Sequence, residues 1–209
     1  MCAIKSPKRR RRSIRATSEP REWAIWRTSL RRVRVRTPSF PPIDFGVALS
    51  TPTALRAHVA DLLQWHKAHA TFDDVVEGLP AEAYGQVPDG LPYSLWHLLE
   101  HMRRSQRDIL DYCREPSYTS GDWPDDYWPD AAAPDTQMAW ADSVIAFRRD
   151  LSAMVALVEN TDIDLLAEIP HASHGHTFLR EALLVADHNA YHVGQMIVVR
   201  RLLGLWEEG

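Results

Sequence analysis

The 209-residue chain predicts an all-α fold, a four-helix bundle. Three observations carry that expectation. Four segments place apolar residues at helical spacing. No stretch shows the Val/Ile/Thr alternation of a half-buried strand. One long connection separates the first two segments from the last two, as in bundles that contain a crossover.

The first helix is expected over Thr53–Glu77, with Leu55, Val59, Leu62, Leu63, Phe72 and Val76 on one stripe. Ser50-Thr51-Pro52 supplies its start and Gly78-Leu79-Pro80 its stop. A turn-rich link containing Pro88-Asp89-Gly90 follows. The second helix is expected over Ser94–Arg114, with Ser94 as N-cap and Pro116 as terminator.

The next link runs through Gly121-Asp122-Trp123-Pro124-Asp125-Asp126-Tyr127-Trp128-Pro129. Its prolines forbid regular helix, and its large aromatics are costly in water, so it is expected to pack across the body. The third helix is expected over Thr136–Glu159, with Trp140, Ile145, Phe147, Leu151, Met154 and Leu157 apolar. A short link over Ile169–His176 leads to the fourth, from about Thr177 to Gly204. A crossing between helices two and three leaves the first adjacent to the second, and the third adjacent to the fourth.

An apolar fraction of 45% and a charged fraction of 25% are ordinary for a soluble globular protein with a sizeable core. The net charge of −4 conceals an asymmetry. Residues 1–48 sum to +10, leaving −14 for residues 49–209. The expected organisation is therefore a basic extension without fixed structure over 1–48 and the bundle over 49–209. The extension ends in Pro38-Ser39-Phe40-Pro41-Pro42, a linker composition. It reads as a solvated tail or as a tract upstream of the true translation start. A nucleic-acid or membrane-binding arm and an organellar presequence are the functional alternatives. The acidic body argues against a nucleic-acid groove across the domain, so nucleic acid is expected only through the extension. Two cysteines, Cys2 and Cys113, fit a reducing cytosol, and the expected location is cytoplasmic. No transmembrane helix is expected, since no stretch of about 18 uncharged apolar residues occurs.

The chemistry-bearing residues are histidines. His188 and His192 stand four apart in the fourth helix, so both rings leave the same face. That face also carries Val185, Met196 and Val199 and is the one expected to be buried. Burying an unpartnered imidazole is unfavourable by roughly 2–7 kcal/mol on transfer scales, and a metal ion would satisfy both rings. Core histidines bonded to Gln195 or Tyr191 are the alternative. A second pair, His97 and His101, lies in the second helix. His101 falls nearer the stripe of Leu95, Leu98, Leu99, Met102 and Ile109, so it is the better third ligand. His97 is expected at the rim or in solvent.

Asp108 falls on nearly the same face as His101. It is either an orienting partner for a ligand imidazole or a solvated carboxylate. His171, His174 and His176 cluster in the link before the fourth helix, either at a site mouth or solvated. His58, His66 and His69 carry little signal. Three imidazoles on one ion leave a coordination position open, as in catalytic sites. Asn189 follows His188, so the zincin glutamate is absent. The four helices contain no Glu-x-x-His pair of the di-iron kind. Glycine-rich phosphate loops and a nucleophile elbow are missing as well.

Tyr93-Ser94-Leu95-Trp96-His97-Leu98-Leu99-Glu100-His101, followed by Asp187-His188-Asn189-Ala190-Tyr191-His192-Val193-Gly194-Gln195, resembles the DinB/YfiT-like superfamily. The resemblance spans about residues 50–207 and leaves out the basic extension. It implies an up-up-down-down bundle, often a homodimer. It also implies a divalent metal, zinc or nickel, on His101, His188 and His192. His97 is an additional histidine that the family pattern does not require. Characterised relatives include thiol-dependent transferases and isomerases that use low-molecular-weight thiols such as mycothiol or bacillithiol.

The expected function is that of a metal-dependent enzyme acting on a small molecule, a thiol S-transferase or a hydrolase-like relative. Tyr191 and the Trp123–Trp128 link would shape its pocket. The alternative is a non-catalytic metal-binding or stress-related bundle.

Overall fold

The computed structural model describes residues 51–64, 68–172 and 174–206. The basic extension expected over 1–48 and His66 lie outside the described residues. The described residues form helices α1 (Thr51–Gln64), α2 (Phe72–Val76), α3 (Leu95–Arg114), α4 (Gln137–Glu159) and α5 (Phe178–Leu202), with a 3₁₀ turn at Ala81–Ala83. No strand occurs among them, only an isolated bridge between Glu168 and Thr177. The expected all-α class is what the structure shows.

The three longest helices start where their caps predict. Ser94, Thr136 and Thr177 are extended, and each side-chain oxygen accepts the backbone N–H three residues on. The first helix differs. Where one helix was expected over Thr53–Glu77, the chain leaves α1 at Gln64 and restarts as α2 at Phe72. Thr71 and Asp74 form a reciprocal capping box there. The Thr71 N–H donates to Asp74 Oδ2 at 2.7 Å, and the Asp74 N–H donates to Thr71 Oγ1 at 3.2 Å. The extended backbone of Thr71 (φ −82°, ψ 169°) cannot continue a helix.

Side-chain pairs fix the directions of the helices. Trp96 lies beside Trp140, Glu100 meets Ser143, and Gln106 reaches the Phe147 carbonyl, so α3 and α4 run parallel. His101 meets His188, and Tyr112 meets His176 just before α5, so α3 and α5 run antiparallel. Arg56, early in α1, donates to the carbonyls of Val158, Asn160 and Ile163 at the end of α4, while Gln64 shares a cleft with Phe147 and Leu151. That makes α1 antiparallel to α4. The order is up-down-down-up, a correction to the expected up-up-down-down. Neighbours differ too: α1 and α3 each pack mainly on α4 and α5, so α1 lies diagonal to α3 and α4 diagonal to α5.

Parallel α3 and α4 require the chain to return along the bundle between them, and it does. Tyr118 bonds Asp108, the Tyr127 carbonyl bonds His101, and the Ala132 carbonyl bonds Ser94, in steps back along α3. The Trp/Pro-rich run Trp123–Pro129 lies in this connecting segment.

The core has two apolar halves. One gathers Leu98, Met102, Phe147, Val193 and Met196; the other gathers Leu63, Leu110, Met154, Val185 and Ala186. A polar layer separates them in register. Asn189 Nδ2 donates to Gln106 Oε1 (2.7 Å), and Gln106 Nε2 donates to the Phe147 carbonyl (2.8 Å), all fully buried.

Candidate metal centre

His101 projects from the middle of α3, and His188 and His192 project one turn apart from α5. Antiparallel packing brings the three rings together. One ring nitrogen from each lies within 4.8 Å of the others, and His101 Nε2 and His188 Nε2 are 3.1 Å apart. His101 and His192 are buried, and His188 is half-buried.

Hydrogen bonds assign the tautomers of two rings. His101 Nδ1–H donates to the Tyr127 carbonyl at 3.1 Å, and His192 Nδ1–H donates to Gln195 Oε1 at 2.6 Å. Both Nε2 lone pairs are thereby left for another partner. His188 Nδ1 is buried with no hydrogen-bond partner. A hydrogen bond from His188 Nε2–H to His101 Nε2 would serve one lone pair and leave that of His192 unserved. One cation serves all three. Tetrahedral nitrogen ligands at about 2.0–2.1 Å from zinc lie roughly 3.4 Å apart, close to the 3.1 Å between His101 and His188. The residues therefore fit a divalent ion with borderline-soft nitrogen ligands.

The protonation states agree. Burial, then the nearby rings of His192 and His188, push His101 down to about 3. Burial and His188 push His192 down to about 4, and burial lowers His188. All three rings are neutral at pH 7, the form in which imidazole is a ligand.

The crossover builds the surroundings. Trp128 stacks on His101 with centroids 3.8 Å apart and planes at 6°. Arg104 holds that stretch by donating to the carbonyls of Asp126 (3.4 Å) and Trp128 (3.2 Å). Arg104 is in turn held by Glu100, whose carboxylate also accepts from Nε and Nη2 of Arg103 and from the Ser143 hydroxyl. Burial alone would raise the Glu100 carboxyl. The Arg103 and Ser143 bonds outweigh it, and the carboxyl sits at about 2. An ion-paired brace thus fixes the segment that supplies the His101 acceptor.

The triad forms part of the wall of an open cavity of about 830 Å³. Trp123, Trp128 and Tyr191 line it as expected. His97 also lines it but stays outside the cluster. Its Nδ1 accepts the Ser94 N–H at 3.1 Å, so the ring serves as a helix cap. Asp108 lines the cavity without orienting an imidazole; it accepts the Tyr118 hydroxyl at 2.7 Å. His171 and His176 are not at the mouth. They bond the backbone carbonyl and the hydroxyl of Tyr112, near the other end of α3. The Tyr127 carbonyl and the Glu100–Arg104 brace were not anticipated.

Fold and site together define an all-helical protein with a three-histidine cluster beside an open cavity. A family model of the DinB superfamily matches residues 64–196, and the chain belongs to that superfamily. Searches of the curated proteins and of the solved structures each found no match. Among the described residues no helix is long and apolar enough to cross a membrane.

Proposed function

We propose that this protein is a metal-dependent enzyme in which His101, His188 and His192 hold one divalent ion, zinc or nickel. Its substrate is a small molecule bound in the adjoining cavity. The observation that carries the reading is the convergence of three neutral imidazoles from two helices on one point of an open cavity. Such an ion supplies Lewis acidity and lowers the pKa of a bound thiol or water. The chain's own residues do the rest. The Tyr127 carbonyl and Gln195 keep protons on the far ring nitrogens, and Trp128 covers one face of His101 against water. A thiol S-transfer, with a low-molecular-weight thiol as co-substrate, is the proposed reaction class, and a hydrolase-like step is its nearest relative.

Metal analysis of purified protein tests the proposal. About one zinc or nickel per chain is expected, lost in His192→Ala and in His101→Ala with helicity unchanged by circular dichroism. A wild type without stoichiometric metal, or a His192→Ala variant that retains it, overturns the reading.

One observation favours the non-catalytic alternative: no described carboxylate hydrogen-bonds to any of the three rings. A melting temperature that falls on chelation, with no turnover of any thiol and electrophile pair, would select it. A homodimer and a cytoplasmic location belong to the same proposal. Exposed Val198 and Leu202 on α5 support the former, and sedimentation tests it.

A further inference from the structure

The cavity beside the triad is unevenly charged. Among the described residues two carboxylates line it, Asp108 and Asp187, and no lysine or arginine does. Asp108 is anchored by the Tyr118 hydroxyl, with the Tyr127 phenol also directed at it. Asp187 makes no hydrogen bond or ion pair with a described residue and is exposed to solvent. Nearby arginines are already engaged: Arg103 and Arg104 by Glu100, and Arg104 also by the crossover carbonyls.

The same cavity is walled by aromatic rings: Tyr93, Trp123, Tyr127, Trp128 and Tyr191. Three of them have structural work. Trp128 covers His101, the Tyr127 phenol is directed at Asp108, and Tyr93 packs against the core. Trp123 and Tyr191 touch the rings of His101 and His192 only edge-on and keep most of their own faces free. Trp123 is 69% exposed and Tyr191 65%, and both border the opening. Large aromatic faces left in water beside a free carboxylate, Asp187, match the requirements of an organic cation. The ring quadrupole attracts positive charge, the carboxylate neutralises it, and neither interaction helps an anion.

We propose that the cavity selects a ligand bearing an organic cation, a protonated amine or a quaternary ammonium, seated between Trp123, Tyr191 and Asp187. This rests on the reading of the cavity as a substrate site and adds the class of substrate it takes. The group that meets the triad lies at one end of the ligand, and the positive group lies at the other. A ligand whose outer group is a carboxylate or phosphate meets no cation among the described residues of the wall and is disfavoured.

Matched probes of one shape test this. Choline, its uncharged carbon isostere 3,3-dimethyl-1-butanol, and the anion 3,3-dimethylbutanoate are titrated by calorimetry into the purified full chain. Metal content is measured on the same samples. Choline is expected to bind at least tenfold more tightly than the alcohol, with no measurable binding of the anion. Asp187→Asn should reduce that discrimination to threefold or less, and Trp123→Ala should weaken choline more than the alcohol. Both substitutions are at exposed positions, so the fold is retained. Equal affinity for choline and the alcohol, saturable binding of the anion, or absence of saturable choline binding overturns the inference. A sample without metal that still discriminates tenfold overturns the metal proposal and leaves the cation site standing. A metal-loaded sample that does not discriminate does the reverse.

Discussion

Glu100→Gln is the substitution that connects the core to the site most directly. The carboxylate is buried and accepts from Arg103 at 2.7 and 2.8 Å, from Arg104 at 3.1 Å and from Ser143 at 2.6 Å. It titrates at about 2 in the fold against 4.5 for the free side chain. At about 1.4 kcal/mol per pH step, that difference stabilises the folded state by about 3 kcal/mol at neutral pH. Arg103 and Arg104 remain 28% and 31% exposed and share their charge with water, which lowers the figure to about 2 kcal/mol. Glutamine keeps the volume and an acceptor for Ser143 but not the charge. The expected loss is about 2 kcal/mol at pH 7, a fall in Tm of roughly 4–8 °C for a domain of this size. The sign with pH follows from the lowered carboxyl. Its stabilisation is complete above about 4.5 and fades as pH falls toward about 2. Urea denaturation of wild type and variant from pH 7 to pH 3 measures the gap, and the imidazoles, common to both, cancel. The gap should narrow below about pH 4.5. A variant as stable as wild type at pH 7, or a gap that does not change with pH, would refute the reasoning.

His97→Ala should leave metal content unchanged by elemental analysis while costing about 0.5 kcal/mol from the broken capping box; loss of metal would place His97 in the ligand set. For the metal-free protein, His101 at about 3 and His192 at about 4 lie below the unfolded value of 6.5. Their contribution is therefore full above about pH 6.5 and is lost as pH falls toward 4 and then 3. A urea midpoint that stays flat between pH 6.5 and 4 would contradict neutral burial. Burial and Glu181 push the Cys113 thiol up to about 12, so in a Cys2→Ser background a disulfide reagent at pH 8 should label no thiol until urea unfolds the chain.

The starts of α3, α4 and α5 are legible in the sequence because an N-cap is local chemistry. Ser94, Thr136 and Thr177 each stand directly before an apolar-periodic run and bond within three residues of themselves. The break before α2 is hidden because Leu63, Phe72 and Val76 keep helical spacing across it, and the Thr71–Asp74 box is the only local sign of a restart. The helix wheel selects His101 over His97 because burial follows the apolar stripe, and in the fold His101 joins the cluster while His97 becomes a cap. Gln195 as a partner for His192 is legible for the same reason, three residues on along the same face. The Tyr127 carbonyl is not legible, since a backbone acceptor has no side-chain signature. Helix order is not legible either: nothing local to α1 distinguishes a neighbour from a diagonal.

Topology and site share one cause. Had α3 and α4 formed a hairpin, a link of a few residues would have sufficed and the two helices would run antiparallel. They run parallel, so the chain must travel back past α3, whose 20 residues span about 30 Å at 1.5 Å each. A returning strand of chain needs partners for its own carbonyls, and α3 provides them through Ser94, His101 and Arg104. It also needs somewhere to place its aromatic side chains, and the ring of His101 takes Trp128. The same bonds fix the His101 tautomer and cover one face of its ring. Without the return, His101 Nδ1 would lack its acceptor and the cavity would lack the walls formed by Trp123, Tyr127 and Trp128. The crossover is therefore part of the site's construction, and substitutions that loosen it, at Arg104 or Glu100, should disturb the triad without touching a histidine.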